Sequence, residues 1–220
     1  MLIRPMLTIY STPESLYCAK LRIVLRHKKA EWKEVTPEGG CGSAQYRAMI
    51  PSGTLPALVD GDLVIADSEA IAEYLNEVIV EPAMLPVNPA ARAKCRERSR
   101  FHDTRLEPEL RKLFSQVSPS GREMEIVELQ ADTLNNRLQE MSRLLSADDT
   151  FEAQHLSLGD CGFPVCFAWL DAFAGVMNFD LEWPSNLVEY RTVIESYAAV
   201  ADELRDYAPG MQRWLESKGV

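Results

Sequence analysis

The chain is poor in the residues that hold metals and disulfides. It has three histidines and five cysteines in 220 residues, with no Cys-x-x-Cys pair anywhere. A structural zinc site needs several such ligands at short spacing, and a disulfide framework needs an even, paired set. Neither is expected, and free thiols fit a reducing, cytoplasmic setting. Cys161 and Cys166 lie in an apolar helical stretch and read as small buried hydrophobes. Positive charge is also scarce: 23 Lys and Arg stand against 33 Asp and Glu, a net charge of −10. Nucleic-acid binding needs a basic footprint, so it is not expected, and the acidity reads as solubility. Uninterrupted apolar runs fall short of the roughly 18 residues that span a bilayer, so no membrane partner is expected. The opening "MLIRPMLTIY" is too short and broken for a secretion signal and reads better as a first strand.

What is present supports a sizeable core, since 46% of the residues are hydrophobic. The first 80 residues alternate strand and helix signals. Leu7–Tyr10 and Trp32–Val35 read as strands, residues from about 15 as an amphipathic helix, and Ala44–Met49 as a short helix. In "ALVDGDLVIA" two apolar runs flank Asp60-Gly61, which predicts a tight hairpin. "DSEAIAEYLNEV" then opens a helix at Asp67 or Ser68. The expected fold class is an α/β domain of order β-α-β-α-β-β-α over 1–80. A proline-marked linker over 81–89 and an all-helical domain over 90–220 follow, the latter with helices near 90–116, 122–146, 158–175, 185–198 and 200–217.

That order is the order of a thioredoxin fold, whose first helix begins at the reactive residue. Here "STPESLYCAKLRIVL" has the redox spacing, with Ser15 where a thiol would stand and Cys18 three residues on. A hydroxyl at a helix N-terminus is no thiolate, but it donates a hydrogen bond to one, and the helix dipole favours the negative charge. The reactive sulfur would then arrive on a ligand. In "IPSGTLPALV", Pro56 suits the start of a strand. With a cis Leu55-Pro56 bond, the Leu55 main chain would face an extended peptide ligand. Asp67 and Ser68 read as a helix cap, and also as a socket for an α-amino acid end: N–H groups and a hydroxyl for its carboxylate, a carboxylate for its ammonium.

The stretches "LTIYSTPESLYCAKLRIVLRHK", "IPSGTLPALVDGDLVIADSEAIAEYL" and "LSLGDCGFPVCFAWLDAF" resemble the cytosolic glutathione transferases. The resemblance implies a glutathione site on residues 1–80 and a pocket for a small hydrophobic electrophile between that domain and the helices. Ser15 falls where serine-type classes (theta, zeta, tau and similar) carry their catalytic hydroxyl. Ser11 and Tyr10 are alternatives, and Cys18 reads as packed rather than reactive. Leu55 and Pro56 match the segment that pairs with the cysteinyl unit, and Asp67 and Ser68 match the binders of the γ-glutamyl end. Cys41, in the glycine-rich "TPEGGCGS", stands where relatives carry a cation for the glycine carboxylate, and Thr54 where a lysine is common. Ile50 replaces the usual Asn. Ser157 and Asp160 match the capping box of a core helix, a folding role.

His102 and Arg105 either border the cleft or lie on a solvated helix face, while His27 reads as a helix-end charge. The resemblance also implies a cytoplasmic two-fold homodimer. It leaves three activities open: glutathione conjugation, glutathione-dependent isomerisation or dehalogenation, and a chemically silent protein-binding adaptor of the stringent-starvation type.

Overall fold

The computed structural model describes residues 6–148 and 155–220. The chain falls into two compact units, Met1–Met84 and Leu85–Val220.

The N-terminal unit runs β1 (Leu7–Tyr10), α1 (Leu16–His27), β2 (Trp32–Val35), α2 (Ala44–Met49), β3 (Ala57–Asp60), β4 (Leu63–Ala66) and α3 (Ser68–Val78). The strands form one sheet in the order β2-β1-β3-β4. β1 runs parallel to β2 and antiparallel to β3, and β4 runs antiparallel to β3. Leu7 and Ile9 of β1 are buried, as are Leu21, Val24 and Leu25 of α1 and Ile71, Ala72 and Leu75 of α3. Each such leucine, isoleucine or valine contributes roughly 1.5–3 kcal/mol when fully buried. The hairpin is displaced by one residue from the sequence expectation. Asp60 still pairs with Leu63, so the turn is centred on Gly61-Asp62. Gly61, at φ 61°, supplies the positive φ that a type II′ turn requires at its first central position.

The second unit is all helical. α4 (Pro89–Phe101) begins at Asn88, whose side chain accepts from the Ala90 and Ala91 N–H groups at 2.8 and 3.2 Å. It continues through a π-helical turn (His102–Leu106) into α5 (Glu107–Lys112) and a 3₁₀ turn (Leu113–Gln116). α6 (Met124–Ser146), α7 (Phe163–Met177), α8 (Ser185–Glu195) and α9 (Ala198–Ser217) follow. Trp169 of α7 sits in an aromatic core, its ring 4.9 Å from Phe114, 5.1 Å from Phe173 and 5.2 Å from Trp214. Counting uninterrupted apolar runs missed one feature. Residues Leu158–Met177 together are long and apolar enough to cross a bilayer, but two-thirds of that stretch is buried within the protein. Its apolar surface is taken up by neighbouring helices, as in the core helix of a globular domain.

Candidate functional site

One row of strand register gathers the site. Tyr10 pairs with Val35 on one side and Ala57 on the other, and Ala57 pairs with Ala66. Val35, Tyr10 and Ala66 end their strands, and Ala57 begins its own. The loops that carry Ser15, Cys41, Thr54-Leu55-Pro56 and Asp67-Ser68 therefore all leave the sheet from the same end. Tyr46, Ile50 and Ala57 form a buried cluster there, with Tyr10, Met49, Leu55 and Ala66 packed against it.

Ser15 is the N-cap of α1, half-buried, and its hydroxyl oxygen accepts from the Cys18 N–H at 3.3 Å. An oxygen that accepts still has its hydrogen to give. Cys18 itself is 1% exposed, and burial pushes its thiol pKa up against the opposing effect of hydrogen bonding to Ser15. A buried thiol held neutral is no nucleophile. Ser11 is buried and donates its hydroxyl to the Glu34 carboxylate, which also meets Arg22 at 3.4 Å. Tyr10 lies against the Tyr46 ring, with centroids 5.6 Å apart.

The Leu55-Pro56 peptide is cis. Leu55 is half-buried and Pro56 buried, directly ahead of β3. Among the described residues, no main-chain hydrogen bond of a turn or loop uses the Leu55 N–H or C=O. Thr54 is exposed; its carbonyl accepts from the Tyr46 hydroxyl at 3.0 Å, and its side chain meets Ser52 at 2.8 Å. Asp67 caps α3, with one carboxylate oxygen accepting from the Glu69 and Ala70 N–H groups at 2.9 and 3.1 Å. It does so at φ 82°, a backbone conformation that costs a non-glycine residue about 1–3 kcal/mol and tends to occur at ligand sites. Ser68, the first residue of α3, is buried. The N-termini of α1 and α3 thus both open at this end of the sheet, where the helix dipoles favour negative charge.

Cys41 is exposed, and its thiol donates to the Gly53 carbonyl at 3.0 Å. It brings no positive charge. Gly39, Gly40 and Gly42 around it all have positive φ, which a residue with a Cβ would adopt only under strain. Arg47, passed over in the sequence, fixes this loop through its Nε to the Gly42 carbonyl at 2.9 Å and its Nη1 to the Ser52 carbonyl at 3.1 Å. The second missed element is an ion pair behind the site: Lys20 Nζ meets Glu69 Oε2 at 2.7 Å. Lys20 and Arg22 read as the polar side of an amphipathic helix, yet both are buried. Their partners, Glu69 and Glu34, are distant in sequence, so no local pattern could have signalled the burial.

In the helical unit the reading of His102 as part of a solvated helix face fails. It lies on no solvated face, being fully buried, with its ring 5.3 Å from Phe163 and Nδ1 2.8 Å from the Asp103 carboxylate. Arg105 is exposed. Ser157 and Asp160 form the capping box expected of them.

Residues 9–83 match the model of the glutathione S-transferase N-terminal domain. The stringent starvation protein A homolog of Coxiella burnetii is 32% identical over 167 residues, covering 73% of this chain and 74% of its own length. Glutathione S-transferase Z2 of Arabidopsis thaliana is 37% identical over 90 residues, 40% of each chain. Among solved structures, the theta-class glutathione S-transferase of the citrus canker pathogen Xanthomonas axonopodis pv. citri, with glutathione bound, superposes with a TM-score of 0.74 at 21% identity. That match covers 90% of this chain and 97% of the other. An N-terminal domain of this type, a relative matched along most of its length and a shared two-part fold place the chain in one group: it belongs to the glutathione transferase family.

Proposed function

We propose that the protein is a serine-type glutathione transferase, in which Ser15 donates its hydroxyl hydrogen to the thiolate of bound glutathione. The observation that carries this reading is the disposition of hydroxyls and thiols at the sheet end. Ser15 is half-buried and uses only its oxygen in capping, whereas Ser11 is engaged by Glu34 and Cys18 is buried. Leu55 would pair through its main chain with the cysteinyl unit, and Asp67 and Ser68 would hold the γ-glutamyl end. With Cys41 uncharged and Thr54 exposed, and the Gly40 N–H donated to the Pro37 carbonyl at 2.9 Å, the N–H groups of Gly39, Cys41 and Gly42 would serve the glycine carboxylate.

The energetics are adequate. Lowering a thiol pKa from about 8.5 to about 6.5 needs ~2.7 kcal/mol of preference for the thiolate. One hydrogen bond to a charged group supplies ~1.5–3 kcal/mol, and a helix N-terminus adds ~0.3–1 kcal/mol. The thiolate then attacks a small hydrophobic electrophile, and the leaving group departs with the electron pair of the broken bond. A cytoplasmic homodimer is part of the same proposal.

A second reading, a binding scaffold without chemistry, is favoured by one observation: the relative matched over the greater part of the chain is named a stringent starvation protein A homolog. Retention on immobilised glutathione, with turnover of a general aryl halide, separates the two. The transferase reading expects retention and turnover in the wild type. It also expects retention with a rate reduced about tenfold or more, and a raised apparent thiol pKa, in Ser15→Ala. Unchanged turnover in Ser15→Ala would discard the serine mechanism, and a wild type neither retained nor active would leave the scaffold.

A further inference from the structure

The turn over residues 11–14 carries the chain from β1 to the Ser15 cap, and polar tethers hold it more than burial does. Pro13 and Glu14 are exposed, and Thr12 is half-buried. We infer that Glu34 and Arg22 are positioning residues for the transferase reaction: they brace this turn from two sides and so fix where the Ser15 hydroxyl stands. The inference rests on the reading of Ser15 given above.

The tethers form one connected set. On the β2 side, the Ser11 N–H donates to the Val35 carbonyl at 3.0 Å, and the buried Ser11 hydroxyl donates to Glu34 Oε2. The other oxygen of that carboxylate accepts from the Trp32 indole N–H at 3.2 Å, which orients the group. On the α1 side, Arg22 is buried and lies alongside the turn. Its Nη1 meets Glu34 Oε2 at 3.4 Å, and its Nη2 donates to the Pro13 carbonyl at 3.2 Å. The Ser15 N–H then closes the turn on the Thr12 carbonyl at 3.3 Å. One ion pair thus grips the chain at Ser11 and at Pro13, immediately ahead of Ser15. A planar guanidinium can hold a carboxylate and a carbonyl at once, which suits arginine to this place. Exposed segments with few apolar contacts open locally at little cost, and a displacement of about 1 Å at a reacting centre can lose ~100-fold in rate.

Charge alone works the other way for Glu34. The Cys18 thiol, one helical turn beyond Ser15, is pushed up first by burial; Arg22 acts on it downwards and Glu34 upwards. Both charges are therefore felt at the start of α1. A carboxylate near a bound thiolate disfavours it, so what Glu34 contributes to the reaction is what it holds. Removing it gives opposite results under the two roles.

The test is the apparent pKa of the glutathione thiol in the complex. It is read from the ultraviolet absorbance of the bound thiolate and from the pH profile of kcat/KM with a general aryl halide. Glu34→Ala is expected to raise it by about one unit, with kcat/KM at neutral pH falling about tenfold. Glu34→Gln, which keeps an oxygen for Ser11 and loses the charge, should restore the wild-type value or lower it. Arg22→Lys keeps the charge but cannot span Glu34 and the Pro13 carbonyl together. It should raise the thiol pKa by less, with a several-fold loss of kcat/KM. Retention on immobilised glutathione should persist in all three, because Leu55, Asp67 and Ser68 are untouched. A thiol pKa that falls in Glu34→Ala, or stays at the wild-type value in either Glu34→Ala or Arg22→Lys, overturns the inference. Lost stability in urea with an unmoved thiol pKa would mark a merely structural pair. If Glu34→Ala does not fold, Arg22→Lys decides by itself. The transferase reading fails separately, through a wild type without turnover or a Ser15→Ala variant that keeps it. Turnover that depends on Ser15, with an unmoved thiol pKa in these variants, sinks the positioning role alone.

Discussion

Lys20 and Glu69 meet at 2.7 Å, joining the two helices whose N-termini carry Ser15 and Ser68. The side chains are 1% and 13% exposed, so the pair is almost wholly withdrawn from water. Removing one partner of such a pair costs about 3–5 kcal/mol, because the other charge is left in a poorly solvated place. The deeper charge is lysine's, so Glu69→Leu is expected to destabilise more than Lys20→Met. The double replacement should recover most of the loss, since no buried charge remains. Urea unfolding of the four proteins provides the cycle, and additive losses would show that the two residues are not coupled.

Asp67 combines a cap with an unfavourable backbone, and substitutions separate the two. Asn keeps an oxygen for the Glu69 and Ala70 N–H groups and tolerates positive φ, so Asp67→Asn is expected to cost only a few tenths of a kcal/mol. Gly loses the side-chain cap but relieves the φ of 82°. Ala loses the cap and keeps the strain, for about 1–2 kcal/mol from the cap alone. The expected order of stability is therefore Asp, Asn, Gly, Ala, read from denaturation midpoints. Equal losses for Gly and Ala would show that the backbone at this position is unstrained.

The site was legible in the sequence to the extent that local rules govern it. Leu7–Tyr10, Trp32–Val35 and Ala44–Met49 begin and end as their patterns and caps imply, and so does the start of α3. Ser43, whose side chain accepts from the Tyr46 N–H, accounts for the sharp start of α2. The hairpin moved by one residue because both Asp-Gly and Gly-Asp satisfy a tight turn, and strand register decides between them. Long-range pairings stayed hidden. Lys20 with Glu69 and Ser11 with Glu34 join residues 49 and 23 positions apart, and nothing in either segment announces the partner. The π-helical turn was equally silent, because its residues continue the amphipathic pattern of α4. His102 looked polar and exposed for the same reason. It is packed against Gly162, where an added Cβ would lie 2.4 Å from its ring.

Alkaline pH should loosen the floor of the site through Tyr46. Its hydroxyl donates to the Thr54 carbonyl at 3.0 Å, and burial raises its pKa well above the ordinary 10.0. The native state therefore holds a proton that the unfolded chain gives up near that value. The Tyr46 contribution is complete below pH 10 and is lost as pH rises towards the folded-state pKa. Lys28 titrates with the opposite sign: burial lowers its pKa from 10.5, so its contribution to stability rises with pH. Comparison with Tyr46→Phe removes that background, which both proteins share. The stability difference, about 1 kcal/mol in favour of tyrosine at neutral pH from the hydrogen bond, should shrink above pH 10. A difference that stays constant to higher pH would mean that the phenol does not titrate with unfolding.

Asp160 is the residue on which the helical unit is expected to depend most. It is fully buried, and all four of its contacts are donors. Oδ1 accepts from Arg98 Nε at 3.0 Å and from the Tyr190 hydroxyl at 2.8 Å, while Oδ2 accepts from the Ser157 N–H at 2.9 Å and the Ser157 hydroxyl at 2.6 Å. An asparagine has the same shape but must place an amide N–H₂ against one pair of donors. The hydroxyl of either pair can turn to accept, but the N–H of that pair, from Arg98 Nε or the Ser157 main chain, is left as a donor–donor contact, and Arg98 loses the charge of one of its carboxylate partners. Arg98 remains buried beside Asp148 at 2.6 Å. Asp160→Asn is therefore expected to cost about 3–5 kcal/mol, the range for breaking a buried, hydrogen-bonded ion pair. Ser157→Ala removes a hydroxyl that donates to Asp160 and accepts from Arg98 Nη2 at 3.1 Å, but it leaves the charges paired, so it should cost only ~1–2 kcal/mol. Thermal unfolding of the two variants tests the ranking: if Ser157→Ala proves the more damaging, capping geometry and not charge holds this junction together.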